Sequence, residues 1–264
     1  MSRIIALCNQ KGGVGKSTTA VNLGAYFALA GKRSLLVDLD PQGNATISCG
    51  VERSALKRQM ADALLRGAPM EETIVPSVVE QLDVAPSSAE LASAEITLEG
   101  DDSAQALKRA LEPIRHRYDA IWLDCPPSLG VLTVNALTAA DGVIVPVQCE
   151  YLALEGLNSL LKSIQRVKSA FNPSLEMYGI LLTMTDPRTS LCQEVMNDVR
   201  KFFGNLVLNT VIPRNVRLAE CPSFGKPICL YDPHSSGAVS YYSAAQEVMA
   251  KLFLHVVQTV AGAS

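Results

Sequence analysis

The sequence is poor in aromatic residues, in net charge and in long apolar runs. Aromatic side chains make up 5% of the 264 residues, and the formal net charge at pH 7 is -3. A charge so close to neutral does not by itself predict a nucleic-acid partner. The longest apolar runs are strand-sized, and the amino-terminal stretch is too short for a secretion signal. We therefore expect a cytoplasmic protein that does not attach to membranes.

The cysteines lack any regular spacing. They are odd in number, and no two of them form a C-x-x-C pair. This argues against a disulfide framework and against a metal site built from cysteines alone. We expect buried free thiols at Cys8, Cys49, Cys125, Cys149, Cys192, Cys221 and Cys229.

Charge is unevenly distributed along the chain. Residues 71–102 contain nine acidic residues and no Lys or Arg, whereas residues 160–230 contain nine basic and five acidic residues. The second segment therefore carries a net charge of +4 (nine minus five). One side of an acidic molecule is predicted to be basic.

Strand-like apolar runs alternate with helix-like segments, which predicts an α/β fold. The runs are apolar throughout, as is typical of parallel strands covered on both faces. With 48% hydrophobic residues, the chain can bury one core, so we predict a single domain over residues 1–264 with a mostly parallel, twisted sheet and helices on both faces. Predicted strands are 4–8, 33–40, 82–87, 118–127, 142–147, 177–184 and 206–213. Predicted helices are 18–30, 54–66, 103–113, 130–140, 154–171, 189–203 and 236–258, with a loop at 99–102.

The stretch NQKGGVGKST, residues 9–18, lies between a predicted strand and a predicted helix. Glycines let backbone N–H groups curl around an anion, and a helix start adds donors and partial positive charge. The end of the stretch matches the Walker A pattern, with Lys16 at the β- and γ-phosphates and the Ser17 hydroxyl on Mg²⁺. Its beginning differs from that pattern, because Gln10 replaces the usual first glycine and Lys11 follows.

Three carboxylates follow strand-like runs. Asp38 and Asp40 end LLVDLD, and Asp124 ends AIWLD. In parallel α/β sheets, ligands bind beyond the carboxyl ends of the strands. Asp124 has the pattern of a Walker B carboxylate, which helps to hold Mg²⁺. With Lys16 and Ser17, these residues predict a P-loop NTPase site that hydrolyses a nucleotide.

Five motifs together carry a family resemblance. KGGVGKST, DLDPQGN, LDCPPSL, PVQCEYLALEG and IPRNVRLAECPSFGKP resemble those of the ParA/Soj family of chromosome- and plasmid-partitioning ATPases. That family lies within the deviant Walker A class, which also includes MinD. The similarity runs from Ile4 to about Met249. It implies a P-loop ATPase that uses ATP and Mg²⁺.

The resemblance also implies residue roles. The family's signature lysine reaches across a dimer to the other subunit's phosphates, so Lys11 is expected to act in trans and to be catalytic together with Lys16 and Asp40. Asp40 matches the switch aspartate that positions the attacking water. The implied metal residues are Ser17, Asp38, Asp40 and Asp124. The implied ATP-binding residues are Lys11, Gly12, Gly13, Val14, Gly15, Lys16, Ser17, Thr18, Pro213, Arg214 and Asn215, of which the last three surround the adenine.

An ATP-dependent homodimer follows from the role of Lys11. We expect Lys11, Gly12 and Glu150 at the interface, since Gly12 and Gly13 would permit close backbone approach. Glu150 could pair with Lys11 when no partner subunit is present.

DNA and a protein partner are also implied. Arg188 and Arg217 match positions where relatives carry arginines for non-specific binding of double-stranded DNA. A ParB-like protein is expected to stimulate hydrolysis, with the acidic 71–102 segment as its docking face. The expected location is the cytoplasm, on the nucleoid.

Two alternatives stay open. A MinD-like membrane ATPase should end in a basic amphipathic helix, but this chain ends MAKLFLHVVQTVAGAS. The other alternative is a family member that positions a different cargo, or a reductase similar to the nitrogenase iron protein. Such a reductase needs cysteines that bridge a metal cluster across a dimer, and neither Cys125 nor Cys149 lies in a pattern that requires a metal.

Overall fold

The structure of the protein, a computed structural model, describes residues 2–98, 101–151 and 153–253. Within these ranges it contains eight β-strands, eleven α-helices and several short 3₁₀ turns. The strands are β1 (Arg3–Leu7), β2 (Ser34–Asp38), β3 (Val75–Pro76), β4 (Leu82–Ala85), β5 (Ala120–Asp124), β6 (Gly142–Gln148), β7 (Glu176–Thr185) and β8 (Val207–Pro213). The helices are α1 (Lys16–Leu29), α2 (Asn44–Ser48), α3 (Met60–Arg66), α4 (Ala94–Thr97), α5 (Ala106–Leu111), α6 (Val131–Ala139), α7 (Ala153–Ala170), α8 (Ser190–Phe203), α9 (Val216–Glu220), α10 (Ile228–Tyr231) and α11 (Ser236–Phe253).

The strands form one sheet in the order β3-β4-β2-β5-β1-β6-β7-β8. Every pairing is parallel except the one between β3 and β4, which is antiparallel. Parallel neighbours need crossover connections, and helices supply them. The predicted fold class is confirmed. The extension of one domain over residues 1–264 stays a prediction.

A separate hydrophobic core covers each face of the sheet. In β1, Ile4 and Ala6 face the core that includes residues of α3, α6, α7 and α8, while Ile5 and Leu7 face the core that includes α1 and α11. All five residues of β2 and β5 are buried. Because both faces are covered, apolar residues fill every position of these strands except the terminal Ser34, Asp38 and Asp124.

The predicted helix 54–66 is wrong in its first half. Arg53–Ala55 form a 3₁₀ turn, and Leu56 is extended with φ -87° and ψ 134°. The helix begins at Met60, where the Gln59 and Asp62 side chains form a capping box with the backbone. Capping there satisfies two N–H groups that a longer helix would have paired internally.

Other boundaries shift less. The helix predicted at 103–113 is a 3₁₀ turn over Asp101–Gln105 followed by α5. In the predicted loop 99–102, Glu99 and Gly100 lie outside the described residues. So do residues 254–258 of the predicted last helix, which the structure describes up to Phe253. In the described parts of the chain, no helix is long and apolar enough to span a membrane.

All seven cysteines are free thiols, as predicted. Six are buried, and Cys229 is half-buried. Burial raises the pKa of Cys8 and of Cys149 to about 12. At Cys149, the positive charge of Arg200 opposes this effect but does not cancel it. Thiols held in the protonated form are poor nucleophiles and poor metal ligands, so these residues act as small core side chains.

The carboxyl ends of β2, β5 and β1 meet at one edge of the sheet. The register places Asp38 opposite Asp124 across β2 and β5, and Leu7 opposite Asp124 across β1 and β5. The loop after β1 therefore begins next to both carboxylates. This edge carries the predicted phosphate and magnesium residues.

We predict that Phe27→Ala lowers the free energy of unfolding by about 3–5 kcal/mol, because it leaves a cavity in the core. Phe27 is fully buried, and its ring meets the ring of Trp122 edge-on at 4.7 Å between centroids. Trp122 is the single tryptophan of the chain, so urea unfolding can be followed by its fluorescence. The matched control is Phe202→Ala, since Phe202 is 70% exposed. A loss for Phe27→Ala no larger than the control's would contradict this account of the core.

Candidate active site

Two glycines shape the loop between β1 and α1. Gly13 and Gly15 have φ of 75° and 89°, a region that side chains with a Cβ avoid. The Thr183 hydroxyl of β7 donates a 2.9 Å hydrogen bond to the Val14 carbonyl, which ties the loop to the sheet. At Gly12 and Gly13, an added Cβ would meet nothing within 4 Å. The backbone there is open to an anion or to another molecule.

Lys16 begins α1 and is 6% exposed. Its Nζ donates to the Lys11 carbonyl at 3.4 Å, so the ammonium folds back over the loop. The first turn of α1 contains no acidic residue. The free N–H groups of that turn and the lysine charge therefore favour the same kind of ligand, an anion such as a phosphate.

The Lys11 ammonium lies outside the phosphate loop and pairs with a carboxylate. Its Nζ makes a 2.6 Å ion pair with Glu150 Oε2, and the two side chains are 54% and 44% exposed. The Gln148 amide donates to the other oxygen, Glu150 Oε1. The structure thus contains the ion pair expected of Lys11 without a partner subunit. The roles of Lys11, Gly12 and Glu150 at an interface stay predictions.

Asp124 is a buried carboxylate whose oxygens make no hydrogen bond of good geometry with the described residues, although the Ser17 hydroxyl lies near enough to lower its pKa. Neither oxygen has a partner among the described residues, and the residue is 0% exposed. Burial raises its pKa well above the usual range, and the neighbouring charge of Asp38 raises it further. The Ser17 hydroxyl and the Lys16 ammonium act in the opposite direction. An uncompensated buried carboxylate is costly, so this geometry fits a site that receives a cation.

Asp38 is equally buried but is held firmly. Its Oδ2 accepts from the Thr46 backbone N–H at 2.8 Å and from the Thr46 hydroxyl at 2.6 Å. Its Oδ1 accepts from the Asp40 N–H at 3.2 Å. Burial raises its pKa to about 6 despite these hydrogen bonds. The side chain is fixed in place beside Asp124.

Asp40 follows β2 by two residues and is 7% exposed. The Gln42 N–H donates to Asp40 Oδ1 at 3.0 Å. The Ser87 hydroxyl donates to the Asp40 carbonyl at 2.5 Å. One carboxylate oxygen is thus anchored, and an ionised carboxylate has further acceptor capacity at the other oxygen.

Thr46, Ser87 and Thr183 support the site and were not identified from the sequence. The Thr46 hydroxyl donates to Asp38 and accepts from the Ser87 N–H at 3.0 Å. Ser87 lies 41 residues from Thr46 in the sequence and two residues after the end of β4. Hydroxyl residues are common in loops, so only the sheet order shows that these two meet. Position after a strand end was a signal for Ser87 alone, since Thr46 lies in α2 and Thr183 within β7.

The described residues contain no group of three or more His, Cys, Asp or Glu side chains arranged to hold a metal ion. Mg²⁺ bound with a nucleotide typically takes one or two protein ligands, with phosphates and waters completing its octahedron. A hydroxyl and two carboxylates at one strand edge fit that mode.

The segment predicted to surround an adenine lies at the end of β8. Pro213 closes the strand, and the Arg214 N–H donates to the Thr185 carbonyl at 3.0 Å. Asn215 caps α9, accepting from the Leu218 N–H, and its amide donates to the Ser236 hydroxyl at 2.8 Å. The loop is well ordered by these contacts, and its role toward adenine stays a prediction.

The two predicted DNA-binding arginines follow neighbouring strands. Arg188 comes after β7, is 86% exposed and pairs with Asp186 at 2.7 Å. Arg217 comes after β8 and pairs with Glu220 at 3.0 Å and Asp232 at 3.4 Å. Because β7 and β8 are adjacent and parallel, both arginines lie at the same corner of the carboxyl edge. Their role toward DNA stays a prediction.

Comparison with known proteins gives consistent similarities. Residues 2–177 match the family model described as AAA domain. The chain is 54% identical to the sporulation initiation inhibitor protein Soj of Bacillus subtilis, over 95% of this chain and 99% of that protein. It is 52% identical to the chromosome-partitioning ATPase Soj of Thermus thermophilus, over 95% and 96%. A crystal structure of cobyrinic acid a,c-diamide synthase from Mycobacterium smegmatis with bound ADP and magnesium is 38% identical, with a TM-score of 0.83 and 95% of each chain covered.

The paired buried carboxylates predict a specific pH dependence. In protein free of nucleotide and metal, the folded pKa values of Asp38 and Asp124 lie above their usual range. Between the unfolded and folded pKa values these two carboxyls bind more protons in the native state, so their contribution to the free energy of unfolding falls as pH rises from about 4 to about 7. Asp124→Asn should make this fall smaller, as measured by urea unfolding across that range. Asp198→Asn, at an exposed position of α8, should leave the slope unchanged. Equal slopes for Asp124→Asn and the parent would show that the Asp124 carboxylate is compensated.

Proposed function

We propose that this chain, which belongs to the ParA/Soj family of partitioning ATPases, segregates DNA through an ATP-controlled dimer. ATP binding assembles a homodimer that holds duplex DNA without sequence specificity. Hydrolysis, stimulated by a ParB-like protein, releases the DNA. The observation that carries the proposal is the unpartnered, buried Asp124 carboxylate beside the phosphate loop.

The phosphate loop and strand ends would hold ATP with Mg²⁺. Backbone N–H groups of residues 12–18 and the Lys16 ammonium would contact the phosphates. The Ser17 hydroxyl would bind the ion, while Asp38 and Asp124 would act on it directly or through its waters. When bound, Mg²⁺ neutralises charge on the β- and γ-phosphates. In this proposal, the buried carboxylates gain the compensating charge that the protein alone does not provide.

Asp40 would orient the attacking water. Its Oδ1 is occupied by the Gln42 N–H, and the acceptor capacity of the second oxygen suits a water molecule. Asp40 lies in the segment between β2 and α2, next to the carboxylates assigned to the ion. This arrangement supports a separate role for it, in positioning rather than in metal binding alone.

Lys11 would complete the site of the other subunit. In the isolated chain it is exposed and pairs with Glu150. An exposed ion pair contributes about 0–1 kcal/mol, so nucleotide phosphates on a second subunit can replace Glu150 readily. A cation supplied by a partner stabilises the charge of phosphoryl transfer. Dimerisation would then depend on bound ATP.

DNA would bind at the corner formed by Arg188 and Arg217. Both arginines already have carboxylate partners, but the pairs are exposed and weak, so DNA phosphates can compete for them. Phosphate contacts are additive and salt-dependent. A dimer doubles the contacts on one molecule, which makes DNA affinity follow ATP binding.

A ParB-like partner would dock on the acidic segment 71–102, and the dimer would act in the cytoplasm on the nucleoid. Two ion pairs support a narrower docking surface within that segment. Glu72 pairs with Arg58, and Glu90 pairs with Arg66. Glu71 and Glu80 are exposed, and no ion pair engages either of them among the described residues. These two carboxylates would attract a basic peptide.

We predict that duplex DNA is retained only with ATP, and not with ADP or without nucleotide. Asp40→Ala should keep ATP-dependent retention, because it blocks hydrolysis after assembly. Arg217→Glu should weaken binding and make the slope of log K against log salt shallower by about two, one phosphate contact for each subunit. The measurement is DNA retention across a salt series.

The matched control is Arg117→Glu, which makes the same charge change at an exposed position before β5, at the opposite edge of the sheet. It should bind like the parent. ATP-dependent dimerisation without DNA retention would favour a MinD-like or other cargo-positioning ATPase over this proposal.

We predict that Lys11→Ala hydrolyses ATP slower by a factor on the order of 10³, because the cation supplied in trans is lost. ATP-dependent dimerisation, followed by light scattering, should be lost with it. Lys57→Ala, at an exposed loop position, should behave as the parent. Normal dimerisation and hydrolysis by Lys11→Ala would eliminate the trans role.

A further inference from the structure

The Arg53 guanidinium lies across the segment that carries Asp40. Its Nη1 donates to the Gln42 carbonyl at 2.7 Å, and its Nη2 donates to the Pro41 carbonyl at 3.3 Å. One planar side chain thus binds two consecutive carbonyls. No carboxylate pairs with Arg53 among the described residues, in contrast to the nearby Arg58.

The same two peptide groups hold Asp40 from their other side. The Pro41–Gln42 peptide donates its N–H to Asp40 Oδ1 at 3.0 Å. The Gln42–Gly43 peptide donates its N–H to the Asp40 carbonyl at 2.8 Å. In a trans peptide the carbonyl oxygen and the N–H point in opposite directions. Each peptide is therefore fixed by Arg53 at its oxygen and by Asp40 at its nitrogen.

We propose that Arg53 is a positioning residue for ATP hydrolysis, which orients the Asp40 carboxylate by locking these two peptide planes. Rotation of the first plane would withdraw the Gln42 N–H from Asp40 Oδ1, and the carboxylate would lose its anchor. The inference rests on the proposed function, because it takes Asp40 as the residue that orients the attacking water.

The surroundings of Arg53 are built for this contact. Gly43 has φ +71°, and a Cβ added there would lie 2.5 Å from Arg53 Nη1 and 2.7 Å from Cζ. The Gln59 amide donates to the Arg53 carbonyl at 2.9 Å, which anchors the 3₁₀ turn that presents the side chain. A planar fork of donors can reach two carbonyls at once, whereas the ammonium of a lysine is a single compact point.

The experiment compares Arg53→Ala, Arg53→Lys and Arg58→Ala in the full chain. We expect Arg53→Ala to lower kcat about tenfold, as expected for a barrier raised by the loss of hydrogen bonds from a charged donor. KM for ATP and the binding of a fluorescent ATP analogue should stay within about twofold, since Arg53 contacts no predicted nucleotide residue. Arg53→Lys should restore only part of kcat, because it reaches one carbonyl.

Arg58→Ala is the matched control. Arg58 lies five residues further along the chain and makes a half-exposed ion pair with Glu72 at 2.8 Å. Its loss should leave kcat and KM unchanged. Rates are normalised to the bound-nucleotide stoichiometry, so that partial unfolding of a variant does not count as slower chemistry.

Three results would overturn the inference. The first is an unchanged kcat in Arg53→Ala, and the second is full restoration of kcat by Arg53→Lys. The third is a loss of ATP binding in parallel with kcat, which would show a general structural role. Absence of ATP hydrolysis by the parent protein would instead refute the proposed function itself, so the two failures are distinguishable.

Discussion

The arrangement of the site depends on two carboxylates buried side by side. The register of β2 and β5 places Asp38 opposite Asp124, where neither is exposed to water. Asp38 is compensated by hydrogen bonds from Thr46, but Asp124 has none among the described residues. Burial raises the pKa of both carboxyls, and a bound cation would favour their ionised forms. The phosphate loop, which follows the strand between β5 and β6, brings nucleotide phosphates and their Mg²⁺ to this position in the proposed function.

Around this pair, the residues of the site were easier to predict from the sequence than the residues that hold them in place. The apolar strands, the glycine loop and Asp38, Asp40 and Asp124 could be identified because strand ends and glycines leave local signals. The start of α3 was misplaced, since a capping box at Gln59 overrode a helical pattern that began earlier. Thr46 gave no signal and Ser87 gave only its position after a strand, because their contact depends on β4 lying next to β2. Short motifs of neighbouring residues identify the site, whereas the hydrogen bonds that orient its side chains come from residues far away in the sequence.

The segment from Asp40 to Gly43 shows how the supports converge. Its carbonyls receive hydrogen bonds from Ser87 and Arg53, and its N–H groups return to Asp40 and Asp38. Nearly every backbone group of this short loop is paired, as expected where Asp40 and Gly43 are buried. The order of the loop fits a role that requires one carboxylate to keep one direction.

The ion pair between Lys11 and Glu150 would also affect how the proposed dimer responds to ionic strength. In the proposed dimer, Lys11 would exchange its contact with Glu150 for a contact with the partner subunit's phosphates, so its number of anionic contacts would not rise. Higher ionic strength weakens both the contact of Lys11 with Glu150 and its contact with the phosphates. Dimer formation through this lysine should therefore depend only weakly on salt, while phosphate contacts to DNA depend on it strongly. A change of ionic strength would then separate the two states of the molecule, detaching dimers from DNA while they remain dimers.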